Sequence, residues 1–131
     1  MTELPISRQF TTNYFAILFK MKSHPLHLNS APFGKIKAGR KTIESRLNDE
    51  KRREYKIGDT LIFTCRDTGE VLTATITQLH YFPTFLELFE SVPKEKYANE
   101  SPELLLQEIE QFYSQPEQQH WSVIGIEFNL L

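Results

Sequence analysis

Val71-Leu72-Thr73-Ala74-Thr75-Ile76-Thr77-Gln78-Leu79 is the clearest strand in this 131-residue chain and decides its fold class. Threonine alternates with apolar residues, so Leu72, Ala74 and Ile76 share one face and the threonines take the other, towards water. Immediately before it, Asp67-Thr68-Gly69-Glu70 reads as a hairpin loop in which Gly69 supplies a positive φ. Ahead of that loop runs the apolar segment Thr60-Leu61-Ile62-Phe63-Thr64-Cys65, fed by a turn at Lys56-Ile57-Gly58-Asp59.

Further upstream, His24-Pro25-Leu26-His27-Leu28 is expected to be a short strand, with Pro25 placing it at a sheet edge. Ser30 to Gly39 reads as a short helix: Pro32 suits its first turn, Phe33 and Ile36 face inward, and Gly39 ends it. Lys41 to Arg46 leaves that helix as a strand, followed by a polar loop over Asn48–Arg53. Alternation puts Lys41, Ile43 and Ser45 on one side and Thr42, Glu44 and Arg46 on the other, although Lys41 directly follows the helix end and its direction is not fixed by the alternation; with Ile43 in the core, Glu44 and Arg46 face outward. Downstream, Thr84 caps a helix whose inner face is Phe85, Leu88 and Phe89. Ser101-Pro102-Glu103 opens another, with Leu105, Ile109 and Phe112 as its buried stripe. Val123 to Phe128 closes the chain as a strand.

The order is mixed α/β of the α+β kind, with four or five short strands. Helical crossovers do not alternate with strands throughout, which favours a small curled sheet or barrel over a doubly wound sheet. The length suits one domain. A second methionine at Met21 divides the expected domain, residues 21–131, from an N-terminal extension at 1–20. The extension's apolar run Asn13–Phe19 suits either a packed extra element or an arm that meets a partner.

With 40% hydrophobic and 24% charged residues the chain is neither disordered nor fibrous. No segment approaches the length of a membrane span, and no signal-peptide pattern opens the chain, so a cytoplasmic protein without membrane partners is expected. The single cysteine, Cys65, excludes an internal disulfide and a cysteine-based zinc site, and its apolar run makes it a small core residue. The four histidines follow no metal-binding spacing, and neither a P-loop nor a dinucleotide fingerprint is present, so no metal or cofactor is expected.

The net charge of −2 conceals a segregation. Residues 35–56 hold nine basic and four acidic side chains, a balance of +5, whereas residues 83–131 balance to −7. The basic segment holds the densest polar run, Gly39 to Asp49. If Lys41 and Glu44 converge in a cleft, two roles are open. Glu44 can act as general base with Lys41 stabilising developing negative charge, or Lys41 can itself be the nucleophile or base. Arg46, Asn48 and Asp49 offer a guanidinium fork, an amide and a carboxylate, a set that reads a base edge or holds a phosphate. Arg40, Lys51, Arg52 and Arg53 supply charge for a nucleic-acid backbone. Phe33, Tyr55, Tyr81 and Trp121 are the candidate platforms for an unstacked base, although Phe33 and Trp121 read better as core. The alternative is a solvated, salt-bridged strand without chemistry.

Three stretches together carry a family resemblance: His24-x-Leu26-x-Leu28; Pro32-Phe33-x-x-Ile36-Lys37-x-Gly39-x-Lys41-Thr42-Ile43-Glu44-x-Arg46-Leu47-Asn48-Asp49-Glu50-Lys51-Arg52; and Ile57-Gly58-Asp59-x-Leu61-x-Phe63. With the tail residues Tyr113, Pro116, Glu117, Gln118 and Trp121, they resemble the ASCH domain family, in its small bacterial single-domain form, over residues 21–131. The resemblance implies a PUA-like fold, a small β-barrel of about five to six strands decorated with short helices. It implies roles around RNA or modified nucleosides, and a ligand cleft lined by the Gly-x-Lys-Thr strand. One bacterial branch resembles an N4-acetylcytidine amidohydrolase using Lys, Thr and Glu. Its Lys matches Lys41, its Thr falls where this chain has Glu44, and its Glu has a loose match in Glu100 or Glu103.

Three readings follow. The first is an RNA- or nucleotide-binding module with a basic cleft formed by Arg40, Lys41, Glu44, Arg46, Asn48, Asp49, Lys51 and Arg52, with Tyr81 as platform. The second is a hydrolase on a modified nucleoside or on RNA, with Lys41, Glu44 and Arg46 catalytic. The third is an interaction domain whose charges keep it soluble. Burial of Lys41 and Glu44 together beneath a base-sized cavity favours the second; opposite, solvent-filled faces remove it.

Overall fold

The computed structural model describes residues 21–131; the expected extension at 1–20, with its apolar run, lies outside the described residues. Five strands form one sheet: β1 (Ser23–Leu28), β2 (Ile43–Leu47), β3 (Thr60–Cys65), β4 (Val71–Phe82) and β5 (Val123–Leu130). Their order is β1-β3-β4-β5-β2. The hairpin anticipated from the threonine-rich strand is the centre of this sheet, with Phe63 opposite Leu72 and Leu61 opposite Ala74. Gly69 turns the loop at φ +75°. Pro25 lies in edge strand β1, where a missing backbone donor costs no central ladder bond. β1 runs parallel to β3, a pairing no local signal announced.

The sheet curls, so β1 and β2 become the two margins of a half-barrel. Its concave side carries the larger core: Leu26 and Leu28 from β1, Leu61 and Phe63 from β3, Ala74 and Ile76 from β4, and Ile124, Ile126 and Phe128 from β5. Helix α1 (Ser30–Lys37) closes that core with Phe33 and Ile36, its two inward residues as read from spacing. Cys65 is buried in this core.

A second core lies on the opposite face of β2 and β5. There Ile43, Leu47 and Val123 meet Phe85, Leu88 and Phe89 of helix α2 (Phe85–Ser91). Gly125 allows this contact: a Cβ at that position would come within 2.9 Å of Leu88 Cδ1 and 3.1 Å of Ile43 Cδ1. Helices α3 (Pro102–Ile109) and α4 (Gln115–Trp121) complete the layer. Thr84 and Ser101 cap α2 and α3 through Glu87 N and Leu104 N, in the roles their spacing gave them.

Several expectations are corrected. β2 begins at Ile43 rather than Lys41, and β4 runs to Phe82, past a bulge between Ile76 and Gln78. Phe112 is not part of a buried stripe but is 66% exposed, because α3 stops at Ile109 and the chain turns before the next helical repeat. Helix α4 was not anticipated. Its residues offer little apolar periodicity, yet Ser114 and Glu117 form a complete capping box with Pro116 in the first turn. Its one fully buried side chain, Gln118, accepts from Phe85 N at 3.1 Å and donates to Glu110 at 3.0 Å, which fastens α4 to α2. Trp121 is half-buried, with the Arg53 guanidinium 5.5 Å from its ring centre.

Candidate functional site

The two margins of the half-barrel do not meet, and the gap between them is a cavity of about 490 Å³. One wall is the end of β1 and the start of α1, with His27, Asn29, Ala31, Pro32 and Lys35. The facing wall is Lys41 and β2, with Glu44, Ser45 and Arg46. Arg66 comes from the loop after β3, Tyr97 and Glu100 from the segment before α3, and Glu108, Ile109 and Phe112 from the end of α3 and beyond.

Glu44 lies at the base of this arrangement. The expectation that it faces outward is corrected: it is only 6% exposed, because the curl of the sheet covers both faces of β2. Ile43 goes to the helical layer, and Glu44 to the enclosed side. Lys41 reaches it because the residue precedes the strand and is free of its alternation. The Lys41 ammonium lies 3.6 Å from Glu44 Oε1, which also accepts from Ser45 N at 2.9 Å. Glu44 Oε2 is buried with no hydrogen-bond partner. Burial raises the proton affinity of this carboxyl, but the neighbouring Lys41 and Arg46 charges and the Ser45 amide outweigh it and hold the pKa below 4.5. An ionised carboxylate with a free lone-pair face, beside a cation, offers an acceptor and a donor side by side.

The residues just ahead of β2, Lys41 and Thr42, anchor the site from behind. Lys41 bridges to Tyr97, Thr42 N donates to Lys96 O at 2.9 Å, and Phe128 N donates to Thr42 O at 3.1 Å. Ser45 and Tyr97 share a hydroxyl hydrogen bond of 2.9 Å, and burial pushes the Tyr97 hydroxyl above its ordinary 10.0, so it stays protonated. Lys35 of α1 pairs with Glu100 and ties that wall to the segment before α3. Behind β2, Glu127 accepts from His80 at 2.8 Å and from Lys96 at 2.9 Å. Burial opposes ionisation of Glu127, but these two partners win and its pKa lies below 4.5.

Both carboxylates therefore give the same sign of pH dependence. Each is held below its unfolded value, so its contribution is complete above about 4.5 and is lost as pH falls through the lower folded value. Denaturant midpoints should hold steady on going down to about pH 5 and then fall, and Glu127→Gln should blunt the fall. An acid limb of the same depth in Glu127→Gln would remove Glu127 from this account.

Of the residues singled out from sequence, Lys41, Glu44 and Arg46 come together in this cavity. Asp49 and Lys51 line a separate, open depression with Glu50, Glu54 and Trp121. Asp49 accepts from Arg52 N at 3.0 Å and lies 3.5 Å from its guanidinium, so the two brace a 3-10 turn at Arg52–Glu54. Asn48 Oδ1 and Arg52 Nε are buried without partners. Arg40 is exposed and Tyr81 lies on β4, and neither lines the cavity. Phe33 is core, as its spacing indicated, and Tyr55 is buried and stacked on His24 at 4.1 Å. His27, Lys35, Arg66, Tyr97, Glu108 and Phe112 reach the cavity through tertiary placement, without a local motif that marks them. Glu100, one of two loosely matched acids, lines it; Glu103 does not.

The ASCH domain sequence profile matches residues 26–129. The chain belongs to the ASCH domain family. No protein of curated function matches it. Among solved structures, the hypothetical protein PH0355 shares 32% identity with this ASCH domain at a TM-score of 0.74, covering 85% of this chain and 100% of that one. Protein PF0455 from Pyrococcus furiosus shares 30% identity at a TM-score of 0.63, covering 85% and 98%. An ASCH domain from Lactobacillus crispatus, 13% identical, has the same fold at a TM-score of 0.58, covering 95% of this chain and 92% of its own. Among the described residues no helix is long and apolar enough to cross a membrane.

Proposed function

We propose that this ASCH domain binds one nucleotide unit of RNA, or a free nucleotide, in the cavity between β1 and β2. The observation that carries the reading is the buried Glu44, which pairs with the half-buried Lys41 and whose Oε2 has no protein partner. A buried acceptor left unsatisfied costs about 1–3 kcal/mol, more when charged, and a ligand N–H that reaches it recovers that loss. Nucleobases present an N–H donor beside a ring or carbonyl acceptor, which complements Glu44 Oε2 beside the Lys41 ammonium. The volume falls in the ordinary range for small-ligand cavities, about 300–1,000 Å³. The exposed Phe112 at the rim is a stacking face for a base.

A second reading is favoured by the same pair being enclosed together: hydrolysis of an acylated or phosphodiester-linked nucleotide. Water attacks the carbonyl carbon or phosphorus, Glu44 takes its proton, and Lys41 or Arg46 stabilises the oxyanion; the leaving amine or alcohol then recovers the proton. The low pKa of Glu44 makes it a weaker base than one poised near neutrality, and so supports binding first.

The test is a panel of acylated cytidines and short single-stranded RNAs, followed for both binding and turnover with wild type, Glu44→Gln and Lys41→Arg. Binding lost in Glu44→Gln without turnover by wild type is the expected result. Turnover by wild type that Glu44→Gln abolishes moves the assignment to the hydrolase. Binding or turnover that neither variant alters places the ligand elsewhere.

A further inference from the structure

We propose that Arg46 and Arg66 form a phosphate clamp at this cavity, so that its ligand carries a phosphate and is not a free nucleoside. The inference rests on the reading of the cavity as a base site and specifies the ligand class. The two arginines come from separate elements, β2 and the loop after β3. Both donate through Nη2 to a single oxygen, the carbonyl of His27, at 3.3 and 3.4 Å. Two guanidiniums that share one acceptor stand close enough to be bridged by one anion, and like charges at such range repel until one arrives.

Their charge is also the part of the cavity that no ion pair matches, although Arg46 acts on Glu44 from beyond ion-pair distance. Its two lysines are matched, Lys35 to Glu100 and Lys41 to Glu44. Among the described residues neither arginine has a carboxylate within ion-pair distance; Glu108 lines the cavity but pairs with neither. Arg46 is half-buried and Arg66 exposed, so the pair is reachable from solvent. The planar fork of guanidinium fits phosphate oxygens two at a time, which a lysine cannot do. The first turn of α1 adds to this field: Asn29 gives no side-chain cap, the turn holds no acid, and Asn29 and Ala31 line the same cavity.

A phosphomonoester of a free nucleotide and a phosphodiester of RNA share this chemistry, and titration calorimetry separates them. The probes are cytidine, cytidine 5′- and 3′-monophosphate, a cytidine tetranucleotide without terminal phosphates, and the corresponding sets for the other bases. At least one phosphate-bearing member should bind about tenfold or more tightly than its nucleoside, by an amount that shrinks as salt rises. In Arg66→Gln that ratio should fall towards one, and Arg66→Lys should restore part of it. Arg66 is exposed, so neither variant threatens the fold, and a thermal melt verifies it. A gain confined to the monophosphates identifies free nucleotides, and one shown by the tetranucleotide identifies RNA. Equal binding of nucleosides and their phosphates by wild type, or a ratio unchanged in Arg66→Gln, overturns the clamp. If ribose 5-phosphate shows the Arg66-dependent binding and Glu44→Gln changes nothing, the clamp stands and the base site falls.

Discussion

Lys41→Met should destabilise the domain by about 3–5 kcal/mol, a loss typical of a broken buried ion pair rather than of a surface lysine. The side chains of Lys41 and Glu44 are 17% and 8% exposed. Glu44 is held ionised chiefly against its own burial, with Lys41 the largest opposing influence. Removing that ammonium leaves a buried carboxylate supported only by Arg46 and the Ser45 amide. Its pKa moves up, so the loss should shrink as pH falls and the carboxyl protonates. The double variant Lys41→Met/Glu44→Gln removes both charges and should recover most of the stability, since neutral replacement of a whole pair costs little. Urea unfolding of the two variants reads this directly. A loss below about 1 kcal/mol in the single variant would class the pair with exposed salt bridges and weaken the case for an enclosed site.

Phe63→Ala should cost about 3–5 kcal/mol, a large share of the roughly 5–15 kcal/mol that holds a small domain together. Phe63 is fully buried in β3, level with Leu26 in β1 and Leu72 in β4, and its ring lies 4.9 Å from that of Phe128 in β5. It therefore touches the strand that carries one wall of the cavity and the strand that supports the other. Tyr81→Ala, on an exposed position of the same sheet, should stay within about 0.5 kcal/mol. Guanidinium denaturation of both variants tests the contrast. Equal effects would mean that the concave core does not govern the fold.

The parts of this fold legible in the sequence are those whose signals are local. The β3–β4 hairpin follows from threonine alternation and a glycine in the loop, and α1 from Pro32, Gly39 and the spacing of Phe33 and Ile36. Parallel pairing of β1 with β3 is set by where a shared core places the two strands, so no short pattern encodes it. Helix α4 escapes a reading based on apolar stripes because its one fully buried residue is Gln118, held by hydrogen bonds instead of greasy contacts. Phe112 misleads for a related reason: it continues the period of α3 after the helix has ended.

The site divides in the same way. Lys41, Glu44 and Arg46 were visible as a dense polar run in a basic segment, but alternation alone would have sent Glu44 to solvent. Curling of the sheet encloses it, and Lys41 meets it because a residue before a strand can bend where a residue within one cannot. Arg66 and Phe112 belong to unremarkable stretches of sequence and become part of the cavity only when distant loops converge. The acidic character of the C-terminal third also gains a physical meaning. One of its carboxylates, Glu100, pairs with Lys35 at the cavity and offsets part of the basic segment, leaving the arginines without an ion-pair partner.

The measurement that bears most directly on the central claim is the affinity of a short single-stranded RNA for wild type and for Glu44→Gln, under one buffer and salt condition. Both proteins must first show matching thermal unfolding. The account predicts that the variant binds at least about tenfold more weakly, since it replaces the ionised acceptor with an amide that presents one acceptor and one donor edge. Equal affinity in the two folded proteins would contradict it, and the Lys41–Glu44 pair would then be a structural feature of β2 rather than the floor of a nucleotide site.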